Sequence, residues 1–496
     1  MGTLFIDATV PLRWGPHPPV GIPRVESAIV RQALRQSAKA GEAKPARFFM
    51  INRHGEARFL DRRELAYLKD LVEGRAAAVE SGSEQGLLAR ARLVLKSISA
   101  GAASTGKEFD RVSASFISGR PDRSGLAYQT AKTLVRAAKL IAAPKKPRRR
   151  AEPDPLCDAN ATCFISTAGL HSLATGGRGR PIAATLATVL HDIIPLTHPD
   201  LVDRSHAAHF SRDVAWMFEH CARIIAVSAH SAETAGRFAA EQGLATPGIS
   251  VSRLGSFLRA GLCQRPTQPV DALAGKPFAL YCSTIEIRKN HIMLLKTWVR
   301  LIPLLGDRLP KLVFCGRWGW MNEEVEAYLA AHPELADHLV VLSDLSDAEL
   351  GWLYTQAAFG LYPSRAEGWG LGAAESLDFG LPVFISNAPS LMEATQGLMP
   401  VIGMDDADGW AEAVTRAVEE PDRLIELKER IRLGYLPISE QQFANRVLSL
   451  VAGEAATPAR TAAITAAPAT SLPRMVPWRP IRNRAETSRT GRLAGA

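Results

Sequence analysis

Between Leu361 and Glu375 the chain reads LYPSRAEGWGLGAAE, with two glutamates, Glu367 and Glu375, separated by seven residues. The surrounding pattern predicts a strand over Phe359–Tyr362, a glycine-rich loop, and a helix from about Leu371 to Phe379. Gly380 would cap that helix, with Pro382 beyond it. Gly368 and Gly370 let the backbone approach a ligand closely. The helix start after them offers free N–H groups and a positive dipole end to a phosphate. Carboxylates beside such a site suit hydroxyl groups, as an acidic residue does for a ribose. The bland alternative is a tight strand-to-helix turn carrying two surface glutamates.

A second stretch, Tyr281–His291, reads YCSTIEIRKNH. The strand Phe278–Cys282 is predicted to lead through a turn into a helix whose apolar face is Ile292, Leu295, Val299 and Ile302. Arg288 and Lys289 in that turn suit a diphosphate, because charge-assisted bonds to phosphate are strong polar contacts. As a mere basic helix start the pair is unfavourable without an anion nearby. A third stretch, HDIIPLTHPD at His191–Asp200, follows the strand Ala184–Leu190. His191 and Asp192 then sit at the carboxyl end of a strand, where a cleft would lie. A loop-anchoring His–Asp pair is the plain alternative.

Other strings carry less. Asp406-Ala407-Asp408 follows an apolar strand and precedes a helix at Trp410, so it reads as an acidic helix start, not a metal–diphosphate holder. His206 and His209 have H-x-x-H spacing but no evident third ligand, and no metal is expected. The six cysteines (Cys157, Cys163, Cys221, Cys263, Cys282 and Cys315) include no C-x-x-C pair, and read as buried thiols of a reducing cytoplasm. Walker-type, dinucleotide-binding G-x-G-x-x-G and nucleophile-elbow motifs are absent from the sequence.

The elements that would position these residues form two strand–helix series, the pattern of parallel sheets with crossovers. The first runs through Leu4–Val10, the helix in GIPRVESAIVRQAL, Phe48–Ile51, Thr162–Ser166, Ala184–Leu190, Arg223–Ser228 and Ile249–Leu254. The second runs through Phe278–Cys282, Lys311–Cys315, Leu339–Leu342, Phe359–Tyr362 and Val383–Ser386, short apolar runs suited to burial on both faces. With 496 residues the chain exceeds one ordinary core. The expected fold is α/β: two doubly wound, Rossmann-like domains facing across a cleft, at the carboxyl ends of their strands.

The expected boundaries are 1–262 for the first domain, with a basic insertion over 81–155, and a Gln/Pro/Thr-rich linker over 263–277. The second domain spans 278–437, a closing helix lies in 438–454, and a disordered tail covers 455–496. The formal charge of +9 is uneven: residues 86–155 carry +10 and residues 455–496 carry +6, which leaves −7 on the rest. An anionic membrane surface is one partner this charge suits. Nucleic acid is disfavoured, because the basic run lacks interleaved aromatics. The start, MGTLFIDATVPLRWG, reads as a strand and not a leader, and no run of about 18 apolar residues suggests a membrane span.

The three motifs together resemble family 4 glycosyltransferases of the GT-B fold, in the bacterial polysaccharide-assembly branch. The first resembles that branch's EGWGLP-x-x-E-S-L, with Gly372 where proline is usual. The second resembles G-T-x-E-x-R-K-N-H, with Ser283 for glycine and Glu286 at the glutamate position. The third resembles H-D-x-I-P-L, and Gly21–Arg24 resembles T-G-I-x-R-V with Val20 for threonine. VSAHSAET, FCGRWGW and LSDAELGWLY extend the likeness over most of the chain outside the insertion and tail.

The resemblance implies a retaining, metal-independent hexosyltransferase, mannosyltransferase-like, that needs no cofactor beyond its nucleotide-diphosphate sugar, GDP-mannose or a relative. The acceptor would be a growing cell-surface glycan or a lipid-linked one, reached from the cytoplasm or the inner membrane face. It implies that Glu367 meets hydroxyls of the transferred sugar, with His191 near the sugar and Asp192 holding the ring or loop. Glu375 would take the donor ribose. Amides near Trp369, Gly370 and Leu371, beside Gly368, would cradle the sugar and β-phosphate, while Arg288 and Lys289 grip the pyrophosphate and Gly21 passes close to it. A nucleotide-sugar epimerase of the same fold and a non-catalytic nucleotide-sugar-binding protein are the alternatives.

Overall fold

In the computed structural model the described residues are 3–15, 19–39, 45–75, 153–177, 179–245, 247–258, 269–273, 275–343 and 345–454. Nearly all of the expected basic insertion, the first part of the linker (263–268), the whole tail, and Cys263 lie outside them, as does the His206 side chain.

The first sheet comprises β1 (Thr3–Asp7), β2 (Arg47–Ile51), β3 (Ala57–Phe59), β4 (Ala161–Ile165), β5 (Thr185–Leu190), β6 (Cys221–Ala226) and β7 (Gly248–Val251), in the order β3-β2-β1-β4-β5-β6-β7. All its pairings are parallel except β2 with β3. The second sheet is wholly parallel: β8 (Phe278–Cys282), β9 (Lys311–Cys315), β10 (Leu339–Leu342), β11 (Phe359–Tyr362), β12 (Val383–Ser386) and β13 (Val401–Ile402), in the order β10-β9-β8-β11-β12-β13. Every residue of β11 and β12 is buried, which is why their sequences are unbroken apolar runs.

Eight helices matter for the site: α1 (Ile22–Lys39), α2 (Thr167–Gly176), α3 (Ala229–Glu241), α4 (His291–Leu305), α5 (Asp347–Gln356), α6 (Leu371–Asp378), α7 (Pro389–Ala394) and α8 (Glu440–Ala452). Helix α1 follows Gly21, whose φ of +54° suits glycine, and carries a proline in its first turn. Its residues Val25, Ala28, Ile29 and Ala33 pack on the first sheet in one apolar cluster with Phe443 and Val447 of α8. The closing helix therefore returns to the first domain, where Gln32 donates to Asn445 at 2.7 Å and a Ser439–Gln442 capping box starts it.

The first strand is shorter than expected. It stops at Asp7, because the Asp7 carboxylate accepts from the Thr9 amide (2.9 Å) and hydroxyl and turns the chain into a short helix over Thr9–Trp14. The strand expected over Ile249–Leu254 likewise ends at Val251, and that over Arg223–Ser228 becomes Cys221–Ala226. Phe379, not Gly380, is the first residue past α6. Strands β3 and β13 fall outside the expected set; three and two residues long, they leave almost no periodic signal. Asp406 caps a helix over Ala407–Glu419 by accepting from the Gly409 amide at 2.8 Å. Among the described residues no helix is long and apolar enough to cross a membrane, and no cluster of three or more metal-ligating side chains occurs.

Candidate active site at the domain interface

The carboxyl ends of the two sheets meet. After β8 the chain makes a short 3-10 turn over Ile287–Lys289 and enters α4 through Asn290, whose left-handed backbone (φ 57°) is one that asparagine tolerates. The Asn290 amide group fixes this corner by donating to the carbonyls of Pro363 (3.2 Å) and Met404 (3.0 Å). The corner thereby throws Arg288 and Lys289 towards the loop after β11.

That loop supplies Glu367. One carboxylate oxygen accepts from Lys289 Nζ (2.5 Å) and Ser364 Oγ (2.8 Å), the other from Arg288 Nη1 (3.0 Å). Arg288 also donates to the Ala366 carbonyl (2.7 Å) and, through Nη2, to Glu286 (2.8 Å). Burial raises the Glu367 pKa, but Lys289 and Arg288 outweigh it and bring it to about 2. For Arg288, burial works against the charge, and Glu367, Glu286 and Asp192 push its pKa above the ordinary value. Lys289 is held below its usual range by burial and by Arg288, against the pull of Glu367. The anions that offset this basic turn are thus two carboxylates of the protein, so the turn's charge alone does not demand an external anion.

The glycines explain themselves by contact. A Cβ on Gly368 would run into the His191 carbonyl of the first domain. The Gly368 carbonyl accepts from Ser228 (2.7 Å) and Ser231 (3.1 Å) at the end of β6 and the start of α3, and Ser231 also donates to the His191 carbonyl (3.1 Å). Gly370, at φ 101°, is the N-cap of α6 and leaves that helix start without a side-chain cap. Gly372 packs so closely on β8 that a Cβ there would stand 2.6 Å from the Cys282 carbonyl, and a larger residue would have to shift the strand. This close packing is what the glycine permits at the position where the family motif has proline.

Apolar contacts flank the loop on both sides. Trp369, only 7% exposed, enters the first domain's cluster with Ile29 and Phe443, so its side chain is a wedge between domains. Ala366 and Ile287 join Ile194, Leu201 and Val202 from the segment after β5. His191 and Asp192 lie between these contacts. Burial takes the His191 pKa down to about 4, and its Nε2 is buried with no hydrogen-bond partner. Asp192 accepts from the Ile194 amide (3.0 Å), and burial raises its pKa while Arg288 lowers it.

Glu375, in the first turns of α6, is separate from this network. It accepts from the Tyr354 hydroxyl (3.2 Å), and burial raises its pKa to about 7 against the lowering pull of Arg24. Arg24 reaches it from the first domain at 3.5 Å and pairs with Asp347 of α5 at 2.8 Å. Gly21, three residues before Arg24, faces open space. The structure therefore brings Glu286, Arg288, Lys289, Glu367, Gly368, His191 and Asp192 into one cluster. Glu375 sits apart with Arg24, and Gly21 stands clear of both. Sequence reasoning did not single out Arg24, Ser228, Ser231 or Ser364 as site residues, although all four lie within the motif stretches named above. A fourth crossing was also unforeseen: Glu393 of α7 accepts from the Ala229 amide at the start of α3 (2.8 Å) and from Arg253 (2.8 Å).

Residues 267–433 match the family model of group 1 glycosyl transferases, so the second domain carries that family's signature. Over 229 residues the chain is 30% identical to the serotype-specific mannosyltransferase WbdA of Escherichia coli, a match covering 44% of this chain and 28% of WbdA. It is 30% identical over 148 residues to O-antigen chain mannosyltransferase B of the same organism, covering 30% of this chain and 38% of that protein. The chain thus spans well under half the length of these curated relatives. Among solved structures, sucrose-phosphate synthase from Thermosynechococcus elongatus superposes with a TM-score of 0.53 at 15% identity, covering 91% of this chain and 99% of that one. The UDP-forming trehalose-phosphate synthase of Burkholderia xenovorans gives 0.51 at 13%, covering 91% and 100%. These likenesses show the GT-B fold.

Proposed function

We propose that this chain, whose second domain matches group 1 glycosyl transferases, is a retaining hexosyltransferase that works without a metal. It would move a mannose-like sugar from a nucleotide-diphosphate donor such as GDP-mannose to a growing or lipid-linked glycan. The observation that carries the reading is the convergence of Arg288, Lys289 and Glu367 from the second sheet with His191 and Asp192 from the first, beside the uncapped start of α6. Breaking the anomeric bond puts charge on the departing diphosphate, and fixed cations with a helix N-terminus stabilise such charge. Glu367, ionised throughout the neutral range, suits hydroxyl binding and not proton transfer. His191, uncharged at neutral pH, has a free ring nitrogen to offer a sugar hydroxyl. Glu375 would receive the donor ribose.

The relatives' names as mannosyltransferases, one of them of the O-antigen chain, support the sugar and the acceptor class. The basic segments over 86–155 and 455–496 would hold the enzyme on an anionic membrane surface, where each nearby cation is worth on the order of 1 kcal/mol.

The test is a thermal-shift panel with UDP, GDP, ADP, dTDP and CMP, with and without magnesium. A true ligand at about a hundredfold excess over its Kd stabilises by roughly 2.7 kcal/mol. The reading expects one diphosphate to stand out without magnesium and to lose its effect in Glu375→Ala. Silence across the panel would overturn it.

A further inference from the structure

The Arg24–Glu375 contact joins two domains across the place where the proposed donor would enter, and it is built unlike the cluster around Glu367. Arg24 projects from the first turn of α1. Its Nε is tied to its own loop by the Pro19 carbonyl (2.9 Å), and its Nη2 to the exposed Asp347 (2.8 Å). The third tie, from Nη1 to Glu375 Oε1, is 3.5 Å long, and that oxygen has no hydrogen bond although it is buried. The other Glu375 oxygen takes the Tyr354 hydroxyl, itself fixed in the core. A buried carboxylate oxygen with a loose ion pair and no hydrogen bond is poorly satisfied. Two vicinal hydroxyls, as on a ribose, would satisfy it better, since charge-assisted hydrogen bonds are the strong ones.

We infer that Arg24 is a resident occupant of the hydroxyl site at Glu375, holding the domains together without donor and giving up that carboxylate when a nucleotide's ribose arrives. The inference rests on the proposed reading of Glu375 as the ribose acceptor. Arg24 is accordingly a positioning residue supplied by the first domain: it keeps Asp347, whose contact lies outside the site, while it exchanges at Glu375. The cost of the exchange falls on the donor, because apparent affinity drops by the fraction of molecules already open at Glu375.

Two readouts test this on the full chain. In hydrogen exchange without nucleotide, Arg24→Ala should raise exchange in 20–26 and 371–378, the two segments the tie joins. Asp347→Asn, a surface change that leaves the core intact, should raise it in 20–26 by a smaller factor. In calorimetric titration with the nucleoside diphosphate that binds the parent chain, Arg24→Ala should bind roughly three- to tenfold tighter, the occupant having been removed. In the Glu375→Ala background, where the diphosphate response is lost, Arg24→Ala should not restore it, since the two residues act at one site. Weaker binding in Arg24→Ala would overturn the inference and make Arg24 a direct ligand of the donor. Unchanged exchange in both variants would also overturn it, because the tie would then not hold the domains. If no diphosphate binds even the parent chain, the functional reading fails, and the inferred exchange at Glu375 fails with it. Raised exchange in the variants would then mark the tie as structural only.

Discussion

Two ionic groups face each other at this interface, and they differ in the degree to which they are finished. Around Glu367 both carboxylate oxygens and most of the Arg288 donors are taken, all within the second domain. Around Glu375 the ties are longer, one oxygen has no hydrogen bond, and the arginine belongs to the other domain. The first arrangement is preorganised, with its charges fixed before a substrate arrives, which favours electrostatic stabilisation at little reorganisation cost. The second is exchangeable. A site that must admit a large substrate between two domains needs both kinds: fixed charge where bonds change and replaceable contacts where the substrate enters.

Breaking the first group should have the largest effect. Glu367→Gln leaves Arg288 and Lys289 buried and under-neutralised, and removing one partner of a buried ionic group costs about 3–5 kcal/mol. Denaturant unfolding should show a loss of that order, with transferase activity abolished. Destabilisation below about 1 kcal/mol would mean the cluster is not a fixed element of the fold.

Gly368→Ala strikes the joint between the groups. Its methyl meets the His191 carbonyl, and an overpacked contact costs typically about 1–3 kcal/mol. Because the collision is between domains, the variant can relieve it by opening. Small-angle scattering should show a larger radius of gyration with little change in melting temperature. An unchanged radius and a large loss of stability would place the strain inside one domain instead.

Acidity sharpens the contrast further. Glu375 has a folded pKa of about 7 against 4.5 as its ordinary value, so the native state binds its proton more tightly than the unfolded state. The stability this supplies is complete below about pH 4.5 and is lost as pH rises through 7. Glu375→Gln is free of that loss. The melting-temperature difference, variant minus parent, should therefore grow between pH 4.5 and 7 and then level off. Glu367→Gln should show no such trend in that window, because Glu367 titrates near 2. The smallest effect belongs to Asp347→Asn. Its side chain is 60% exposed, and pairs of this kind contribute less than about 1 kcal/mol. A loss of about 2 kcal/mol in urea unfolding would show that the surface tie carries more than an exposed pair should.

The second sheet was legible from sequence almost residue by residue. Strands buried on both faces must be short continuous apolar runs, and β8, β9, β10, β11 and β12 fall where such runs occur. The first sheet was less legible at its margins. β1 is cut short by a side-chain turn at Asp7, and β3 pairs through a segment containing Arg58, with no alternation to mark it. Within the site, motif spacing indicated Arg288, Lys289 and Glu367, since strand–loop–helix corners bring them to one sheet edge. That spacing said nothing of their mutual neutralisation. Arg24 with Glu375, Ser228 with Gly368, and Ala229 with Glu393 are contacts between residues more than a hundred positions apart. Local pattern holds no record of such pairings, because they depend on how two finished domains meet.

The most direct test of the central claim is nucleotide release measured with and without a glycan acceptor. The chain would be supplied with GDP-mannose and, in parallel, with other nucleotide sugars. A transferase should release nucleoside diphosphate from one donor in proportion to acceptor, with release lost in Glu367→Gln. Equal release without acceptor would mean hydrolysis and contradict transfer, and no release from any donor by a chain that nonetheless binds the diphosphate would leave a binding protein in its place.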